Sequence, residues 1–253
     1  MWPSWRGRAL GLVGVLLLTV LTEVGGLLVW PALGLAGALR LRLRTSLGLV
    51  GVAYALGSVV VPPVAARLGR VPLPCLGHPH LAPQSLGCCL LHRNYVRPEL
   101  HAELLAIAAR YAEARPGEQV RYLDAGFPIR GLPLLPHLSH HDGRKVDLAL
   151  PGRGGSPIGY LGYDPPPPGT PPACPPRWLD LRWDLDPIQP LVALELDVTR
   201  ASELVQASVS RRAVGKLLLE PHVEARLSVT SDKIRFQGCW AARHDDHLHL
   251  QLR

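Results

Sequence analysis

Two uncharged apolar stretches near the N-terminus set the first constraint on this chain. Residues 45–66 carry no charge, and residues 9–39 carry only Glu23. A helix needs about 20 apolar residues to cross the hydrocarbon core of a bilayer. The 45–66 stretch meets that by itself. The 9–39 stretch meets it once, because splitting it at Glu23 leaves two pieces that are each too short. The reading is one helix over 9–39, bent at Pro31, and a second over 45–66. Together they make a two-helix transmembrane hairpin over 1–70, joined by a loop carrying Arg40, Arg42 and Arg44. A cleaved signal peptide is the rival reading, with Arg6 and Arg8 ahead of an apolar 9–22. No small-x-small cleavage site follows, and Glu23 sits where one is wanted.

Charge follows the same division. Residues 1–70 hold seven Arg against one acid, and the rest of the chain holds 20 basic against 19 acidic side chains. The basic excess therefore flanks apolar segments, as membrane topology requires, and marks no nucleic-acid surface. Arginines at the loop and at the outer ends oppose each other, so charge alone leaves orientation open. An apolar share of 47% against 19% charged excludes a disordered chain. All five Cys (75, 88, 89, 174 and 239) lie beyond the apolar segments. In an oxidising compartment four can pair and one is left over; buried thiols are the alternative. No CxxC occurs, which argues against a zinc ribbon.

Residues 71–94 are rich in Pro, Gly and Cys and read as an irregular linker, leaving 95–253 as the domain. Helices are predicted over 98–115 and 199–214, with a short one over 221–227. Strands are predicted over 119–124, 145–150, 216–219, 234–237 and 247–252. Strands with helices set apart indicate an α+β fold. Residues 164–176 hold eight prolines and read as an extended surface loop.

Six of the eleven His fall in two tight groups. His137, His140 and His141 precede Gly143 and Asp147; His244, His247 and His249 close the chain. On a strand, residues i and i+2 face one side, so His247 and His249 share a face while Leu248 and Leu250 point to a core. Gly143 permits a turn that returns His140 over Asp147, whose neighbours Val146 and Leu148 face the other way. Two imidazoles and one carboxylate suit Zn²⁺ with a position left open, the catalytic pattern. Other chemistries lack their motifs: there is no GxxxxGK[ST], no GxSxG, no HExxH, and no GxGxxG after a strand.

His140-x-x-Gly143-x-x-x-Asp147, followed by His247-x-His249, resembles the LAS metallopeptidases. With His137, Ser139, Val146 and His244 added, the pattern is similar to that of the penicillin-insensitive murein endopeptidases. The resemblance covers about residues 95–253. It implies a small antiparallel sheet with flanking helices, and zinc held by His140, Asp147 and His249. It implies that His247 acts as base or transition-state stabiliser, with His244 and His137 as further active-site groups. The activity it implies is zinc-dependent cleavage of peptidoglycan cross-links or stem peptides. The domain would be tethered to a bacterial inner membrane and face the periplasm or cell wall. Alternatives are a zinc D,D-carboxypeptidase or dipeptidase of the same superfamily, and a non-catalytic zinc-stabilised cell-wall binding module. Arg144 and Arg243, beside the motifs, are candidates to receive a substrate carboxylate. Asp245 or Asp246 is a candidate to hold an imidazole N–H.

Overall fold

The computed structural model describes residues 5–129, 131, 133–135, 137–155, 157–160, 162–175 and 192–253; Pro176 of the proline-rich loop lies outside them. In chain order the helices and strands are α1 (Trp5–Thr22), α2 (Gly25–Ala38), α3 (Leu43–Arg67), β1 (Val71–Pro72), β2 (Leu81–Pro83), α4 (Leu86–Leu90), β3 (Tyr95–Val96), α5 (Pro98–Ala114) and β4 (Val120–Tyr122). They continue as β5 (Lys145–Pro151), β6 (Pro157–Ile158), β7 (Gly162–Tyr163), β8 (Val192–Ala193), α6 (Val198–Val209), β9 (Val214–Leu218), α7 (Pro221–Glu224), β10 (Ile234–Arg235) and β11 (His247–Leu252). The fold is mixed α and β. The chain divides into two compact units: Met1–Leu73 with Gly87–Pro98 and Ala125–Gly143, and Pro74–Leu86 with Glu99–Asp124 and Arg144–Arg253.

In the first unit the apolar segment forms three helices where the sequence predicted two. Among the described residues, α3 alone is long and apolar enough to cross a membrane; α1 and α2 are shorter apolar helices. The break falls at Glu23 and Val24, not at Pro31, which stays inside α2. Local hydrogen bonding explains it. Glu23 has φ +62°, a left-handed conformation that ends a helix. The Thr22 hydroxyl accepts from the Gly25 N–H at 2.7 Å, which caps the start of α2. The Glu23 carboxylate then accepts from the Ile129 N–H at 2.6 Å. A carboxylate in an apolar run needs such a partner.

The stretch 71–94 holds short regular elements. In the first unit β1 pairs antiparallel with β3, Val71 opposite Val96. Arg70 is buried, and its Nη2 donates to the His141 carbonyl at 2.7 Å. Gly143, at φ +69°, lies so close that an added Cβ would stand 1.1 Å from Arg70 Nη1. Only glycine fits there on both counts.

The second unit is built on a seven-stranded sheet of order β10-β9-β11-β5-β4-β2, with β6 also on β5. The expected sheet was antiparallel throughout. The centre is: β11 runs antiparallel to both β5 and β9. Both edges are parallel, β2 with β4 and β9 with β10. A parallel pair needs a crossover; α5 lies between β2 and β4 in the chain, and α7 between β9 and β10. Helix α6 packs on β5 and β9, and Arg115–Glu203 and Arg211–Glu103 ion pairs tie it to α5. It ends at Val209, short of the predicted 214, because Val214 already belongs to β9 opposite Leu252. Val146, Leu148, Leu248 and Leu250 are fully buried, each Leu contributing about 1.5–3 kcal/mol. Cys75, Cys89, Cys174 and Cys239 are disulfide-bonded, Cys174 with Cys239, and Cys88 keeps its thiol.

Candidate metal centre

The register of β5 against β11 builds the centre. It sets His249 directly opposite Asp147 and His247 opposite Ala149, so residues 102 positions apart in sequence become cross-strand partners. His249 Nδ1 lies 2.8 Å from Asp147 Oδ1. Strand alternation sends Leu248, Leu250, Val146 and Leu148 to the opposite face. The backbone of Asp147 is fixed as well: its N–H donates to Asp124 O at 2.9 Å and its carbonyl accepts from Leu123 N–H at 2.8 Å. Sequence patterning alone therefore delivers a fully buried carboxylate and two buried imidazoles to one sheet face.

His140 sits in the segment Ala125–Gly143, and its Nδ1 lies 2.8 Å from the Ala125 carbonyl. That bond fixes the N–H at Nδ1 and leaves Nε2 with its lone pair for a cation. The His137 ring stands 5.4 Å from the His140 ring. Among the described residues, two sets of three side chains could hold a metal ion: His140, Asp147 and His249, all buried, and His137, Asp147 and His247, with His137 half-buried. Within each set the ligand atoms lie within 4.8 Å of one another. The first set matches the predicted ligands. In the second, His247 has other work: its Nδ1 lies 2.6 Å from Asp246 Oδ1, and its Nε2 is 3.7 Å from Asp147 Oδ2.

His244 completes the imidazole cluster, its ring 4.6 Å from that of His247 and 5.7 Å from that of His249. Burial, and then the charges on His247 and His249, hold it well below the usual histidine range, so it is a neutral imidazole at pH 7. Burial pushes His247 down too, but the carboxylates of Asp246 and Asp147 outweigh it and raise the group to about 9. A cation beside Asp147 removes part of that pull and brings His247 nearer its ordinary range.

Of the two candidate acids, Asp246 holds the imidazole. Asp245 instead pairs with Arg243, Nη1 to Oδ2 at 3.0 Å. Burial lifts Asp245 to about 7 against the pull of that guanidinium. Arg243 is buried and stands over the Tyr163 ring. His222, at the start of α7, meets the Asp164 carbonyl through Nε2 at 2.8 Å and stands apart from the cluster.

Tyr160 was not foreseen. Its hydroxyl donates to Asp147 Oδ2 at 2.8 Å and accepts from Asp124 N–H at 3.3 Å. Its ring meets His247 edge-on at 5.3 Å. Burial, and then the charge of Asp147, raise the phenol well above its usual range, so it stays a donor. Both carboxylate oxygens thus have a neighbour in the protein, Oδ1 the His249 ring and Oδ2 this phenol. Tyr160→Phe is expected to weaken metal binding about tenfold, as loss of an outer partner does, measured by competition with a chromophoric chelator. An unchanged affinity would deny the phenol that role.

No protein-family model and no curated protein matches the chain.

Proposed function

We propose that the chain is a zinc-dependent peptidoglycan endopeptidase, a peptide hydrolase held at a bacterial inner membrane by its N-terminal helices, with its metal centre toward the periplasm or cell wall. One observation carries the reading. A buried two-His, one-Asp ligand set has beside it a further imidazole, His247, steadied by a carboxylate of its own. A structural site needs no such group, whereas hydrolysis needs a proton carrier next to the ion.

The donors fit zinc: neutral imidazole nitrogens and one carboxylate oxygen, with His140 turned the right way by Ala125. Zinc bound there supplies Lewis acidity to the scissile carbonyl and makes the attacking water acidic near neutral pH. The chain's own side chains do the rest. His140, Asp147 and His249 hold the ion. His247 takes the water proton at Nε2 while Asp246 keeps its Nδ1–H in place, and the resulting imidazolium then faces the oxyanion. His244, neutral and packed on His247, is placed to steady that ring and to pass the proton toward the leaving amine. His137 lines the same cluster from the loop of His140.

The test is a digestion. The full chain in detergent is incubated with cross-linked peptidoglycan, with zinc or with chelator, and the products are weighed by mass spectrometry. Zinc-dependent conversion of dimeric to monomeric muropeptides is the expected result. Release of a terminal D-alanine alone would assign the carboxypeptidase reading instead, and intact substrate with zinc bound would assign the binding module.

A further inference from the structure

We infer that the first unit meets lipid with more than its helices: the chain at Leu90–His92 and at Ile129 lies at membrane depth, and Leu90 and Leu138 face the bilayer. The inference rests on the reading that α3 spans a membrane. At 25 residues α3 is about 37 Å long, enough to cross a core of about 30 Å. It has two faces. Leu47, Val52, Leu56, Val59, Val60 and Val64 are exposed, whereas Ser46, Val61 and Ala65 are buried.

The protected side carries polar groups, and their partners come from residues 90 and 92. The Tyr54 hydroxyl donates to the Leu90 carbonyl at 2.6 Å. Ser58 Oγ lies 3.1 Å from His92 Nε2. Tyr54 precedes Arg67, the last residue of α3, by 13 positions, about 20 Å along the axis. The chain leaves α3 at that end, yet it comes back to hydrogen-bond near the helix middle. The Glu23 carboxylate reports the same level. It takes the Ile129 N–H at 2.6 Å, and Gly25, two residues on, abuts the Tyr54 ring, where an added Cβ would lie 3.0 Å from it. Residues 90 and 92 thus reach the middle of the spanning helix by two contacts, and Ile129 reaches the break between α1 and α2 beside that level.

Irregular backbone at such depth is tolerated only where protein satisfies its polar groups. These bonds supply such partners, as does Arg93 Nη2 donating to the Leu135 carbonyl at 2.7 Å. What remains on the outside is apolar. Leu90 is 67% exposed, Leu138 58% and Leu135 48%. Lipid is the occupant assigned here, because Leu90 is held at the Tyr54 level of α3, whose outer face is apolar and exposed, and Leu135 and Leu138 follow Ile129 on the segment that meets Glu23.

The experiment uses the full chain in phosphatidylcholine and phosphatidylglycerol vesicles, at one copy per vesicle. Cys88→Ser removes the native thiol, and Leu90→Cys, Leu138→Cys or Leu56→Cys supplies one for a bimane label. Quenching by mid-chain doxyl lipid is compared with quenching by aqueous iodide. The expected result is at least twofold stronger lipid quenching than iodide quenching at all three positions. Lipid quenching at Leu56 with iodide quenching at Leu90 and Leu138 overturns the inference and leaves the spanning helix standing. Labels at Leu90 and Leu138 reached by neither quencher also overturn it, since protein then covers them. No lipid quenching at Leu56 overturns the membrane reading itself.

Discussion

Asp147→Asn is expected to abolish peptidoglycan cleavage and to weaken zinc binding by about 100-fold or more, beyond the range seen for loss of an outer partner. The reason lies in the strand register. Asp147 is common to both possible ligand sets, and it is the one group that His249 and Tyr160 both hydrogen-bond. The amide has nearly the shape of the carboxylate, so the sheet survives, but the negative oxygen that neutralises the cation is gone. Circular dichroism checks the fold, and chelator competition reads the affinity. A variant that keeps both its affinity and its activity would remove Asp147 from the centre.

His247→Ala should behave differently. Its rate should fall about 10²–10⁴-fold, the usual worth of a positioned general base, while zinc affinity stays close to that of the parent. This pairing separates the two ligand sets. If His247 is a ligand with His137, zinc is lost together with the rate. If it is the proton carrier, zinc remains and only kcat falls. Asp246→Asn is the companion variant. It removes the carboxylate 2.6 Å from Nδ1, and a purely packing role for His247 predicts no effect from it.

Much of this centre was legible in the sequence because strand chemistry is periodic. His247-Leu248-His249-Leu250 alternates two faces, and Val146-Asp147-Leu148 does the same. That alternation, with the register of β5 against β11, sets His249 opposite Asp147 and Leu248 opposite Leu148. Gly143 was legible too, since a tight turn before a strand calls for positive φ, and it has it. Choosing Asp246 over Asp245 was not possible from adjacency. Asp246 adjoins His247 and Asp245 lies two residues before it; in the structure Asp245 pairs with Arg243 and Asp246 meets the imidazole. Tyr160 gave no signal at all. A lone tyrosine in a glycine-rich loop has no spacing to declare that it will reach a carboxylate 13 residues away.

The helices show where patterning misled. A run with one acid reads as one long helix when only hydropathy is weighed. The Thr22 hydroxyl, the Gly25-Gly26 pair and a carboxylate seeking a donor made a break at Glu23 the better local solution. Likewise the parallel sheet edges follow from crossovers through α5 and α7, a tertiary choice that strand-by-strand reading does not contain.

The most direct test of the centre is zinc-edge X-ray absorption on the full chain, with metal content measured on the same sample and on His140→Ala. The account predicts one zinc per chain with nitrogen and oxygen neighbours only, at about 2.0–2.1 Å, and its loss from the variant under a competing chelator. Sulfur in the zinc shell, or a variant that holds its metal as firmly as the parent, would contradict it.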